Sequence, residues 1–205
     1  MWFYIKQSFI SFCYLFFAAM IAISIMAITD PSLVWLKYVL LVLNVALYVF
    51  IVAATSYKDG QNALKARVAN DLERMRIIET GEELPLKLKE EYKAWKGFLF
   101  GGISCVPLVV LLLIHTVLIF AVGPNNTGAG VIASFIYMMV FAFTRANIPV
   151  VEDAPIVVDP YMYYWALLAI PVIMLTVGIS YILGAKKIER QQEMIKAKHR
   201  AIYGE

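Results

Sequence analysis

Four long apolar runs, at residues 8–28, 33–55, 98–122 and 161–184, alternate with blocks of lysine, arginine and acid along this chain. A helix rises about 1.5 Å per residue, so about 20 apolar residues cross the roughly 30 Å of hydrocarbon in a bilayer. Each run meets that length. The sequence is 61% hydrophobic and 16% charged over 205 residues, and apolar surface on that scale, gathered in blocks, exceeds what one soluble core buries. The expected fold class is an all-α polytopic membrane protein with four transmembrane helices.

A fifth run, residues 129–144, would reach only about 24 Å as a helix, although Arg145 behind it has a stem long enough to extend a short span by snorkelling. Length leaves its path open. Positive charge decides, because lysine and arginine accumulate on the cytoplasmic side. Residues 56–97 hold nine basic residues and residues 185–205 hold six. If the fifth run crossed, these blocks would lie on opposite sides. If it returns to the side it came from, both termini and the 56–97 segment are cytoplasmic, sixteen of eighteen basic residues lie inside, and Lys37 and Arg145 remain outside. The expectation is four spans in the cell (plasma) membrane with both termini cytoplasmic. The fifth run is then a short re-entrant helix, whose backbone protein must cover, or an interfacial helix on the outer surface. Trp2, Trp35, Trp95 and Trp165 all fall at expected span ends, where an amphipathic ring prefers the headgroup zone.

The chain divides accordingly. Residues 1–55 form a transmembrane hairpin turning at Asp30 and Pro31; its first run, at 21 residues, is longer than a secretory signal core and is expected to be a retained helix. Residues 56–97 carry amphipathic cytoplasmic helices. Leu64, Val68, Leu72 and Met75 share one stripe, Gly81 suits a helix end, and Pro85 suits a restart that feeds the third span. Residues 98–184 hold two spans, the segment 129–144 and an outer loop at 145–160. Residues 185–205 form a basic helical tail in which Ile188, Ile195 and Ile202 recur every seven residues. The two amphipathic elements would pack on each other, on the inner leaflet or on a partner.

Catalytic chemistry is sparse. The sequence has no His/Cys cluster at metal spacing, no glycine-rich phosphate loop, no Ser/His/Asp set able to meet, and no acid inside a span. The expectation is a protein that is not an enzyme, with no cofactor, no metal ligands and no nucleic-acid partner. Cys13 and Cys105 read as small packing residues near the cytoplasmic side, where disulfides are disfavoured. Asn44 and His115 are the candidate intramembrane polar residues, at depths that bring them together if their helices are neighbours. Such groups turn inward and bond across helices, or they line a permeation or proton path. Gly97 and Gly101, Ser180 and Gly184, and Ala18 and Ala22 have the spacing of close helix contacts. Pro107 and Pro171 are expected to kink the third and last spans. In the outer loop, "NIPVVEDAPIVVDP", three prolines stiffen the chain while Glu152, Asp153 and Asp159 stay in water or attract a cation, and the valines pack on the fifth run or a partner.

The order span, short apolar helix, exposed loop, span over residues 98–184 resembles the pore module of tetrameric cation channels. The chain departs from that pattern: no TVGYG is present, and "TRANIPVVED" sets Arg145 where a cation filter presents carbonyls. Two functions fit. The first is a non-catalytic subunit or assembly factor of a membrane complex, with membrane lipid and another membrane protein or a second copy as partners. The second is a channel or transporter subunit with residues 129–144 along its pathway.

Overall fold

The computed structural model describes residues 2–26, 28, 30–81, 92–123, 128–129, 131–132, 136, 164 and 166–203. It is all-helical. Four long helices follow one another: α1, Trp2–Met26; α2, Val34–Thr80; α3, Ala94–Val122; and α4, Ala169–Tyr203. Three of them, α2, α3 and α4, are long and apolar enough to cross a membrane; in α1 the apolar stretch found among the described residues is Ser8–Ala22.

Local chemistry sets where these helices start and stop. A 3₁₀ turn at Pro31–Leu33 joins α1 to α2, and Asp30 caps it: the Ser32 amide and hydroxyl both donate to Asp30 Oδ1, at 2.9 and 2.7 Å. Those two bonds, the hydroxyl's first, hold the exposed Asp30 carboxyl below its ordinary value. Gly81 ends α2. Its φ of 71° is left-handed, and its amide donates to the Ile77 carbonyl at 2.8 Å. Gly123 ends α3 in the same way, with φ 99° and a 3.1 Å bond to the Ile119 carbonyl.

Sequence suggests a change of element where the second and last apolar runs meet charged chain, and the structure has none. α2 runs 47 residues without interruption, about 70 Å, and α4 runs 35, about 52 Å. The reason is local: between Ser56 and Thr80 no proline interrupts strong helix formers such as Ala, Leu, Lys, Arg and Glu. Pro107 lies inside α3 without ending it. Pro171 falls in the first turn of α4, where a missing N–H breaks no helical bond, so the kink expected there has no cause.

The chain forms two compact units, Met1–Ile51 with Gly101–Ile173, and Val52–Phe100 with Met174–Glu205. In the first unit, Ala22, Ile25 and Leu41 form one buried cluster. Leu108, Leu112, Ile136 and Ala166 form another, with Ile132 and Ile170 against it. The second unit is organised around Tyr181, which is 1% exposed.

Candidate functional site

Asn44 is buried on α2, and its amide donates to the Ala18 carbonyl of α1 at 2.8 Å. The bond is possible because Ala18 and Ala22 are both buried and too small to keep the helices apart. Asn44 therefore directs its amide to α1 and not to His115. His115 is buried on α3. One turn of that helix holds a second polar contact: the Thr116 hydroxyl donates to the Leu112 carbonyl at 2.8 Å. With its single proton committed, Thr116 Oγ1 accepts from Tyr164 Oη, also at 2.8 Å. Cys13 and Cys105 are both free thiols, Cys105 buried. Glu152, Asp153 and Asp159 lie outside the described residues, as does most of the segment 129–144. Of that segment, positions 129, 131, 132 and 136 are helical, and Ile136 is completely buried.

The small-residue positions lead to helix contacts at main-chain distance. A β-carbon added to Gly60 or Gly184 would land on the backbone carbonyl of Tyr181 or Tyr57 respectively, so α2 and α4 touch main chain to main chain. One added at Gly97 would meet the Tyr181 β-carbon at 2.7 Å, and one at Gly178 would strike the Phe98 ring. Three helices converge there on one tyrosine. Tyr92 stacks on the Tyr181 ring with centroids 5.4 Å apart, and Phe100 meets it edge-on at 5.8 Å. Burial pushes the Tyr92 phenol up, and the charge of Glu189 adds to the shift. Lys187 Nζ sits 5.8 Å from the centre of the Tyr57 ring, within cation–π range. Gly101 is buried and Ser180 half-buried, while the helix contacts of the two small-residue motifs are seen at Gly97 and Gly184.

This junction lies where the helices change character. On α2 the apolar run gives way to Lys58, α3 turns apolar after Lys93 and Lys96, and α4 passes from Gly184 to Lys186 and Lys187. Three polarity boundaries, far apart in sequence, meet at one level through the glycine contacts. Lys58, Lys93, Lys186 and Lys187 are exposed, while Lys96 is buried.

Sequence reasoning did not single out Gly60, Gly178 or Tyr181. Gly60 stands in "SYKDGQN", which reads as loop chemistry, and a lone tyrosine within an apolar run has no signature. The absence of proline through that stretch was the available signal that Gly60 is helical. No known protein-family model matches the chain, and no curated protein or solved structure is similar to it.

Proposed function

We propose that this chain is a non-catalytic integral subunit or accessory factor of a membrane protein complex, crossing the cell membrane four times with both termini in the cytoplasm. The observation that carries it is apolar surface beyond the polarity boundary. α2 continues about 30 Å past Gly60 and α4 about 28 Å past Gly184. On these extensions Leu72, Met75, Ile78, Ile195 and Ile202 are all exposed. The stripe through Leu64 and Val68 is half-covered and then bare at Leu72 and Met75, and the tail is covered at Ile188 and bare beyond it. Lipid covers such side chains within a span. Straight helices leaving the bilayer carry them out of its reach, which leaves another protein to cover them.

Support for an even number of crossings comes from the junction, because the basic ends of α2 and α4 meet the basic start of α3. One further crossing between α3 and α4 would reverse α4 and send its basic end to the other side. α1 is 25 residues long, about 37 Å, enough to complete the fourth span. Residues 129–144 then enter the bundle and return, in keeping with Ile136 buried beside Leu108 and Leu112 in the middle of the third apolar run.

Co-purification tests this function. Extracted in mild detergent, the protein should bring a stable partner with it and conduct no ions when reconstituted alone in liposomes. Replacing Leu72, Met75, Ile195 and Ile202 by Ser should release the partner and change the stability of the chain by no more than about 0.5 kcal/mol per substitution, as for other exposed positions. The buried Ile136 favours one second function, a channel or transporter subunit. Flux from the chain alone, abolished by changes within 129–144, would establish that function and end the first.

A further inference from the structure

We infer that the junction of α2, α3 and α4 is a binding collar for anionic phospholipid headgroups of the inner leaflet. The inference rests on the topology proposed above and adds a ligand to it. Among the described residues at this level, 56–60, 92–97 and 184–190, six side chains are basic, Lys58, Lys93, Lys96, Lys186, Lys187 and Arg190, against Asp59 and Glu189. Charge alone would make only a diffuse attraction, worth about 1 kcal/mol per basic residue near the surface. Geometry makes it local. Gly60, Gly97 and Gly184 draw the three helices to contact distance, so the segments that bear Lys58, Lys93, Lys186 and Lys187 meet at one level. Lys187 is held over the Tyr57 ring, which restricts an otherwise flexible ammonium while leaving it exposed.

The position suits a headgroup. The apolar runs of α2, α3 and α4 stop at this level, so the phosphate layer of a bilayer around them lies beside these lysines. Trp95 is 55% exposed two residues from the Gly97 contact, as an interfacial ring is expected to be. The ligand chemistry is a phosphodiester carrying net negative charge, presented by a lipid whose chains lie along the exposed apolar faces of the spans. The distal tail does not share this setting. Lys196, Lys198 and Arg200 are equally basic but stand about 9 Å or more beyond Arg190, the last basic residue of the junction, at about 1.5 Å per residue along α4, more than a Debye length of about 8 Å.

The test compares two charge-matched variants of the full chain in nanodiscs of equal phosphatidylcholine and phosphatidylglycerol. One is Lys58→Gln with Lys93→Gln and Lys187→Gln; the other is Lys196→Gln with Lys198→Gln and Arg200→Gln. Lipid retained after detergent extraction is identified by native mass spectrometry. Wild type and the tail variant should both retain phosphatidylglycerol over phosphatidylcholine by roughly tenfold or more, and the collar variant should lose most of that preference. If loss of the Lys187–Tyr57 contact unfolds the collar variant, Lys93→Gln with Lys186→Gln, which leaves that contact intact, should lower the preference on a folded protein. Equal loss in the tail variant, no preference in wild type, or displacement of the lipid by millimolar inorganic phosphate would each overturn the collar. Labelling a single cysteine at Asn62, an exposed position on α2 just past Gly60, from each side separates the two failures. External labelling sinks the topology, whereas cytoplasmic labelling without lipid preference sinks only the collar.

Discussion

The α1/α2 pairing and the α2/α3/α4 junction both rely on small residues, yet they use them differently. Between α1 and α2 the small residues are Ala18 and Ala22, which leave room for a side-chain bond from Asn44 and for packing by Ile25 and Leu41. At the junction they are Gly60, Gly97, Gly178 and Gly184, where main chain or rigid ring already fills the place of a methyl group. A contact made by alanine and flexible aliphatic chains can shift to absorb a change. A contact between two backbones cannot, because neither helix moves without carrying the rest of its length.

The largest effect should follow from adding one methyl group where backbones touch. On an open helical face Gly→Ala stabilises by up to about 1 kcal/mol. Gly184→Ala should instead destabilise by more than about 4 kcal/mol, or prevent folding, because its new methyl group meets the Tyr57 carbonyl. Thermal unfolding in detergent reads the sign. A stabilised Gly184→Ala protein would dissolve the contrast between the two regions.

Gly178→Ala sharpens the contrast, since the obstacle there is a side chain, the Phe98 ring. It should cost about 1–3 kcal/mol, typical of overpacking, and Phe98→Leu in the same chain should restore most of that loss. No side-chain truncation should rescue Gly184→Ala. If truncating Tyr57 does so, the main-chain contact is not what forbids the methyl group.

In the α1/α2 pairing, Asn44→Leu should cost about 1 kcal/mol, the usual scale of an interhelical hydrogen bond in a membrane. Denaturant titration of the detergent-solubilised protein measures it. A cost several times larger would mean that Asn44 does more than reach Ala18.

The smallest effect concerns Asp30. Its folded carboxyl lies below its unfolded value because Ser32 donates to the ionised form. That contribution is present above the unfolded pKa and is lost as pH falls through the lower folded value. Asp30→Asn, which keeps an acceptor for Ser32 but not the charge, should therefore lower stability slightly at neutral pH, lose that difference in the acid range, and so flatten the pH dependence there. An unchanged acid limb in the variant would assign that dependence to other carboxylates.

Much of the architecture was legible residue by residue. Asp30 and Pro31 mark the turn, Gly81 marks the end of α2, and three of the four apolar runs mark helices long and apolar enough to cross a membrane, α2, α3 and α4, because each of these depends on neighbours within a few positions. The stripe through Leu64, Val68, Leu72 and Met75 shows where legibility stops. Periodicity identifies an apolar face but says nothing of whether it is covered, and here it is covered at one end only. Gly60 misleads for a related reason: its local sequence suits a turn, the helix runs through it because no proline interrupts the stretch, and its contact with the Tyr181 main chain is made by a partner far away in sequence.

By itself, then, the sequence determined that this is an all-helical chain with helices long and apolar enough to cross a membrane, and it determined where lysine replaces leucine along each helix. Both follow from hydropathy and spacing, which act over short stretches. Only tertiary structure decided that the boundaries at Lys58, Lys96 and Lys186 lie at one level, that Gly60 and Gly184 are the pair through which α2 and α4 touch, and that Asn44 turns to Ala18. Those outcomes depend on which helix faces meet. That choice is made by the combined fit of glycines and a tyrosine far apart in the chain, and no local pattern of residues encodes it.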